Sequence, residues 1–165
     1  MSRILTMLAA AFMALSFPAM AETRIGVVDL RQALFSSNDA KSFSETLQRD
    51  FAGDEAKVRE VQEQARKLKE RLEKDGAMMN ESEREKLAAE FQEKVKEFNF
   101  LKQRLDSTVA QRKQAFVEQA RPEVDAAVEE LLKENDLDLI LPSEAVVYVK
   151  PELNLTPQLL EKLNR

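Results

Sequence analysis

Apolar residues recur through the middle of the chain at steps of three and four. Phe43, Leu47, Phe51, Val58, Val61, Ala65, Leu68 and Leu72 form one series, which lapses only near Gly53. At about 100° per residue these positions fall on one face of a helix. Leu87, Phe91, Phe98, Leu105, Val109, Phe116 and Ala127 form a second, stricter series, spread over about 40° of helix face. Between the two, Gly76 suits a left-handed position just past a helix end, and Asn80 with Glu83 three residues on matches a capping box. The pattern predicts two long helices folded back as an antiparallel hairpin, each arm extending about 50 Å. Pro122 falls inside the second helix and predicts a kink or break near Arg121, read as the joint between arm and base.

The two ends of the chain read differently. Ile25 to Leu30, Leu137 to Leu141 and Ala145 to Val149 are runs of strand formers, the last two joined by Pro142, Ser143 and Glu144. Thr156 as cap and Pro157 at the first helical position would open a short helix from Gln158 to Leu163. A hairpin returns the chain to its origin, so these distant ends meet. The predicted fold is α+β and mostly α, a helical arm at 43–133 with its tip near 76–82, projecting from a small β body made of 22–42 and 134–165. Three short strands and one helix supply too little core to stand alone, which makes oligomerisation the expected remedy. Ile25, Val27, Val28, Leu139, Ile140, Val146, Val147 and Tyr148 are the candidate oligomerisation residues.

The first residues change the picture of where the protein works. Arg3, an apolar run from Ile4 to Phe17 broken by Thr6 and Ser16, and then Ala19-Met20-Ala21 have the order of a secretory signal peptide, 1–21, cleaved after Ala21. The run is too short for a membrane span. Export without any Cys fits a periplasm.

Composition narrows the chemistry. There is no His and no Cys, so no imidazole base, thiolate nucleophile or usual zinc site can be built, and with Gly 3 there is no glycine-rich phosphate loop. No catalytic residue, metal ligand or cofactor site is expected, and the protein is read as a non-enzyme. Lys+Arg 25 against Asp+Glu 30 gives net −5, and loss of residues 1–21 removes only Arg3, leaving −6. That balance does not suit nucleic acid, which needs a basic stripe to displace counterions. Acid-first pairs four apart, Glu55/Arg59, Glu63/Lys67, Glu70/Lys74, Glu90/Lys94 and Glu129/Lys133, are expected to lace the exposed helix faces.

With this layout complete, the chain resembles the Skp/OmpH family of periplasmic chaperones over essentially all of its length beyond residue 21. Arg24-Ile25-Gly26-Val27-Val28-Asp29-Leu30 followed by Ala33-Leu34-Phe35 resembles the family's opening strand and short helix. Asp136 to Leu141 and Ala145 to Tyr148 resemble its closing strands, and Leu159 to Leu163 its last helix. The resemblance implies a homotrimer whose hairpins hang as three arms around a cavity. It also implies an ATP-independent holdase that keeps unfolded outer-membrane β-barrel proteins from aggregating and releases them towards the membrane insertion machinery. Family arms are often basic, whereas here Arg66 to Lys94 holds eight bases and eight acids. Binding of anionic lipid, which scales with excess Lys and Arg, is therefore not carried over.

If the two stripes are consumed by packing arm against arm, a client must use the apolar surface left over. Phe100 is two residues past Phe98, about 200° round the helix, and points away from the seam. Met78 and Met79 lie at the tip, where flexible thioethers adapt to many partners. Val117, about 100° from the stripe, is a fourth candidate. The competing reading is an exported coiled-coil adaptor that docks a folded envelope protein through its charged faces.

Overall fold

The computed structural model describes residues 23–165, so the expected signal peptide lies outside the described residues. Strand β1 (Ile25–Val28) leads into the short helix α1 (Leu30–Ser36), then the long helices α2 (Asn38–Asp75) and α3 (Glu81–Glu134). Strand β2 (Leu139–Pro142), two 3-10 turns at Ser143–Ala145 and Pro151–Leu153, and helix α4 (Thr156–Leu163) complete the chain. At 1.5 Å per residue α2 is about 57 Å long and α3 about 80 Å.

The two stripes meet as the spacing predicts. Phe51, Val61, Ala65 and Leu87 are buried between α2 and α3, and the Phe43 and Phe116 rings stack 4.5 Å apart near the base. Asp50 and Arg112 close an ion pair across the hairpin at 3.5 Å. Gly53 does not interrupt α2, because fifteen residues of α2 precede it and twenty-two follow. Neighbouring turns hold it helical against a local cost of about 1 kcal/mol.

At the tip the capping box forms as expected: Glu83 N–H donates to Asn80 Oδ1 at 2.9 Å and Asn80 N–H to Glu83 Oε2 at 3.3 Å. Gly76, by contrast, sits at φ −58°, ψ −30°, in the right-handed region. The left-handed helix end lies instead at Asp136, with φ 49°. There Leu137 N–H donates to Leu132 O at 2.9 Å and Asp136 N–H to Lys133 O at 3.3 Å, the bond pattern of a Schellman cap. The Asp136 carboxylate meets Arg24 at the start of β1, so this turn also fixes where α3 hands the chain to β2.

Pro122 produces no break. Helix α3 runs through it to Glu134, since loss of one backbone bond is outweighed by the buried contacts of Val124, Ala127 and Leu131 beyond it. Those three join Val28, Ala33, Leu155, Leu159 and Leu163 in one core cluster. Each fully buried leucine, such as Leu131 or Leu159, contributes about 2 kcal/mol of apolar burial.

The sheet is smaller than the sequence pattern predicts. β1 pairs with β2 in parallel, Ile25 opposite Leu139 and Val28 opposite Pro142. On its other side β1 makes an isolated bridge between Val27 and Asn154, with Leu155 N–H donating to Val27 O at 2.8 Å. Leu30 belongs to α1, where Asp29 accepts the Gln32 N–H at 2.7 Å as cap. Ala145 to Val149, expected as a third strand, is not one: Ala145 ends a 3-10 turn and Val146 to Val149 have no ladder partner among the described residues. Gly26 is the close-approach point of the sheet, since a side chain there would meet Leu155 Cδ1 at 2.6 Å. Thr156 does not cap α4 but is its first residue, with its Oγ1 accepting the Asp29 N–H at 2.9 Å. That bond ties α4 to the strand-to-helix turn.

Candidate functional site

The arm surface is dominated by charge, and the charges are arranged differently from the simple four-residue rule. Of the five expected pairs only Glu129–Lys133 closes, at 3.6 Å. Arg66 takes both Glu63 and Glu70 at 2.6 Å, because its planar fork offers several donors where a lysine offers a point charge. The hydrogen bond from Arg66 holds the Glu63 carboxyl below its ordinary value. Lys94 bonds Glu97 at 2.7 Å, while Lys57 pairs with Glu60 at 3.2 Å on the other arm. Lys94 is raised chiefly by its Glu97 hydrogen bond, with a smaller contribution from Glu60. Glu97 is lowered chiefly by that same bond, with Lys57 adding to it. Two pairs of alternating sign thus face each other across the seam.

Apolar side chains break this polar surface at a few places. Phe100 is 64% exposed and Met78 82% exposed, as the helical angles and the tip position predict. Met79 is half-buried and lines a groove with Arg71, Lys86 and Leu87, so it belongs partly to the end of the seam. Val117, at 37% exposed, stands on the wall of a larger groove of about 540 Å³ where α1 crosses α3. Leu30, Leu34, Phe35 and Val124 complete its apolar lining, and Arg31, Arg121, Asp125 and Glu144 its charged part. The sequence reading missed Leu30 and Phe35 as surface residues. A signal was present: in a seven-residue helix that buries Ala33, these two cannot both face the same core.

The candidate oligomerisation residues fall into two groups. Val27 and Val28 are buried within their own chain, and Ile25, Leu139, Ile140 and Val146 are half-buried. Val147 and Tyr148 are left almost wholly in solvent.

One buried charge was also missed. The Lys162 side chain is only 5% exposed and its Nζ lies 2.9 Å from Glu130 and 2.8 Å from Glu134. Leu159 and Leu163 share its helix face, so the three-and-four spacing places Lys162 against α3, where it needs anions. Hydrogen bonds to Glu134 and Glu130 raise the Lys162 ammonium, and the bond from Lys162 lowers Glu130. Among the described residues no cluster of three or more acidic side chains converges as a metal site, and no helix is long and apolar enough to cross a membrane.

A long helical hairpin on a two-stranded body, with isolated apolar side chains on a charged arm, defines an elongated, mostly helical α+β fold. The profile of the family described as Outer membrane protein (OmpH-like) matches residues 24–163. The chain is 30% identical to a Skp-like protein of Pseudomonas aeruginosa over 147 residues, covering 89% of this chain and 88% of that one. It is 24% identical to the chaperone protein Skp of Vibrio cholerae, over 88% of this chain and 86% of that one. The crystal structure of an OmpH-like protein from Caulobacter crescentus superposes with a TM-score of 0.61 at 17% identity, covering 87% and 85% of the two chains, and so shares the fold. The chain belongs to the OmpH-like family.

Proposed function

We propose that this protein is an exported, periplasmic holdase for unfolded outer-membrane β-barrel chains. It works without ATP, as a homotrimer whose hairpin arms enclose the client and pass it on for membrane insertion. Membership of the OmpH-like family and likeness to a relative named as the chaperone Skp support the class of activity. The observation that carries the reading is Phe100, a large aromatic 64% exposed on a helix whose apolar seam is already filled. Together with Met78 and Val117 it offers separated, shallow contacts, which let a bound chain rearrange instead of trapping it. In this reading 43–133 is the holding arm and 22–42 with 134–165 the assembly body.

The test is to dilute a urea-unfolded barrel protein into the protein lacking residues 1–21, without nucleotide, and weigh the soluble species by light scattering after size exclusion. Three copies with one client is the expected mass. A client that precipitates while this protein elutes unchanged overturns the holdase reading in favour of the adaptor.

A further inference from the structure

Sulfur is confined to one place in the chain beyond residue 21. The sequence has Met 6 and Cys 0. Met1, Met7, Met13 and Met20 fall in the expected signal peptide, and the other two, Met78 and Met79, stand side by side between α2 and α3. With His 0 and Trp 0 as well, these two thioethers are the side chains most open to a mild two-electron oxidant.

The tip holds the two differently. Met78 N–H donates to Asp75 O at 2.9 Å, which closes the turn, and the Met78 side chain is 82% exposed. Met79 is half-buried and lines the tip groove with Leu87. An oxidant must reach the sulfur, so Met78 reacts ahead of Met79. Arg71 and Lys86 stand on the same groove and are donors of the kind that a sulfoxide oxygen accepts from. Oxidation converts a flexible apolar side chain into a polar one, and so removes the property by which the tip adapts to apolar segments.

We propose that Met78, followed by Met79, is an oxidation site through which hydroperoxides reversibly weaken the tip's hold on an unfolded chain. A lone pair of the thioether sulfur attacks one peroxide oxygen and the O–O bond breaks. The sulfur gains that oxygen as a sulfoxide, and the peroxide is reduced to water. The order of reaction rests on exposure alone, whereas the effect on holding rests on the client-contact reading of Met78 above. Loss is partial, because Phe100 and Val117 carry no sulfur.

The test treats the protein lacking residues 1–21 with hydrogen peroxide, locates the added oxygen by peptide mass spectrometry, and reads suppression of barrel-protein aggregation by light scattering. Expected are oxygen on Met78 before Met79, unchanged circular dichroism, and a partial loss of holding. Holding should recover when methionine sulfoxide reductases for both epimers remove the oxygen. The double variant Met78→Leu, Met79→Leu, compared only with itself, is expected to hold equally before and after peroxide. Oxygen appearing on Met79 as fast as on Met78 overturns the site. Holding unchanged with Met78 fully oxidised overturns the switch, and untreated Met78→Ser then separates two causes. Weakened holding by Met78→Ser leaves the client contact standing, and full holding removes that contact too.

Discussion

The Phe43 and Phe116 rings lie 4.5 Å apart with their planes 15° from parallel, one from each arm of the hairpin. They sit at the point where the arm meets the body core, beside a hollow lined by Leu34, Val124 and Leu163. Phe116→Ala removes the stack and enlarges that hollow. The expected loss is about 2 kcal/mol, below the usual cost for a fully buried Phe because both rings are half-exposed. Urea unfolding followed by circular dichroism measures it, and an unchanged midpoint would show the stack to be incidental.

Lys162 sets a pH dependence whose sign follows from its partners. Glu130 is lowered, so its contribution is complete above its unfolded value, about pH 4.3, and is lost as pH falls through the lower folded one. Lys162 is raised, so its contribution holds below its unfolded value, about pH 10.4, and is lost as pH rises through the higher folded one. Thermal stability should therefore be flat between and fall at both extremes. In Lys162→Met the acid limb should shrink while stability at neutral pH changes little, because an apolar isostere removes a desolvated charge along with its pairing. A large neutral-pH loss would mean that the pair is a net source of stability.

Phe100→Ser should leave helix content and assembled mass unchanged and weaken the hold on an unfolded barrel chain, read as aggregation by light scattering at equal concentrations. Full protection by the variant would return Phe100 to the ordinary scatter of exposed apolar residues.

Pro122→Ala should raise the thermal midpoint. The helix already passes through this position, so alanine restores a backbone donor to a geometry that is in place. The gain is bounded by the helix-propensity difference of about 3 kcal/mol. A lowered midpoint would show that the proline ring itself is required by the packing of the body.

What could be read from the sequence divides by the range of the interactions. The hairpin was legible because Leu87 to Phe116 and Phe43 to Leu72 carry their partnership as periodicity, and the Asn80–Glu83 cap is a contact of three residues. The helix end at Asp136 was not, since it depends on Leu132, Lys133 and distant Arg24 together, while Gly76 carried the stronger local signal. Phe100 was placed by angle alone. Lys162 and the Leu30–Phe35 surface were missed because α1 and α4 are short, and their surroundings are set by the far end of α3, where Glu130 and Glu134 meet Lys162 and Val117 and Val124 face Leu30 and Phe35. Ala145 to Val149 shows the converse: strong strand propensity does not make a strand until an edge is available.

The parallel register of Ile25 with Leu139 fixes an order of events. More than a hundred residues separate the partners, and closing so long an excursion before it is structured carries a heavy entropic cost for a ladder of four residues. The arm, by contrast, can zip from the Asn80 turn outward through contacts that are near in sequence, and in doing so carries the two ends together. Pulse-labelled hydrogen exchange should accordingly protect the amides around Leu87 before those of β1. A chain interrupted anywhere in the zipper would leave β1 and β2 as two unpaired apolar edges, which is the same hazard the protein is proposed to relieve in others.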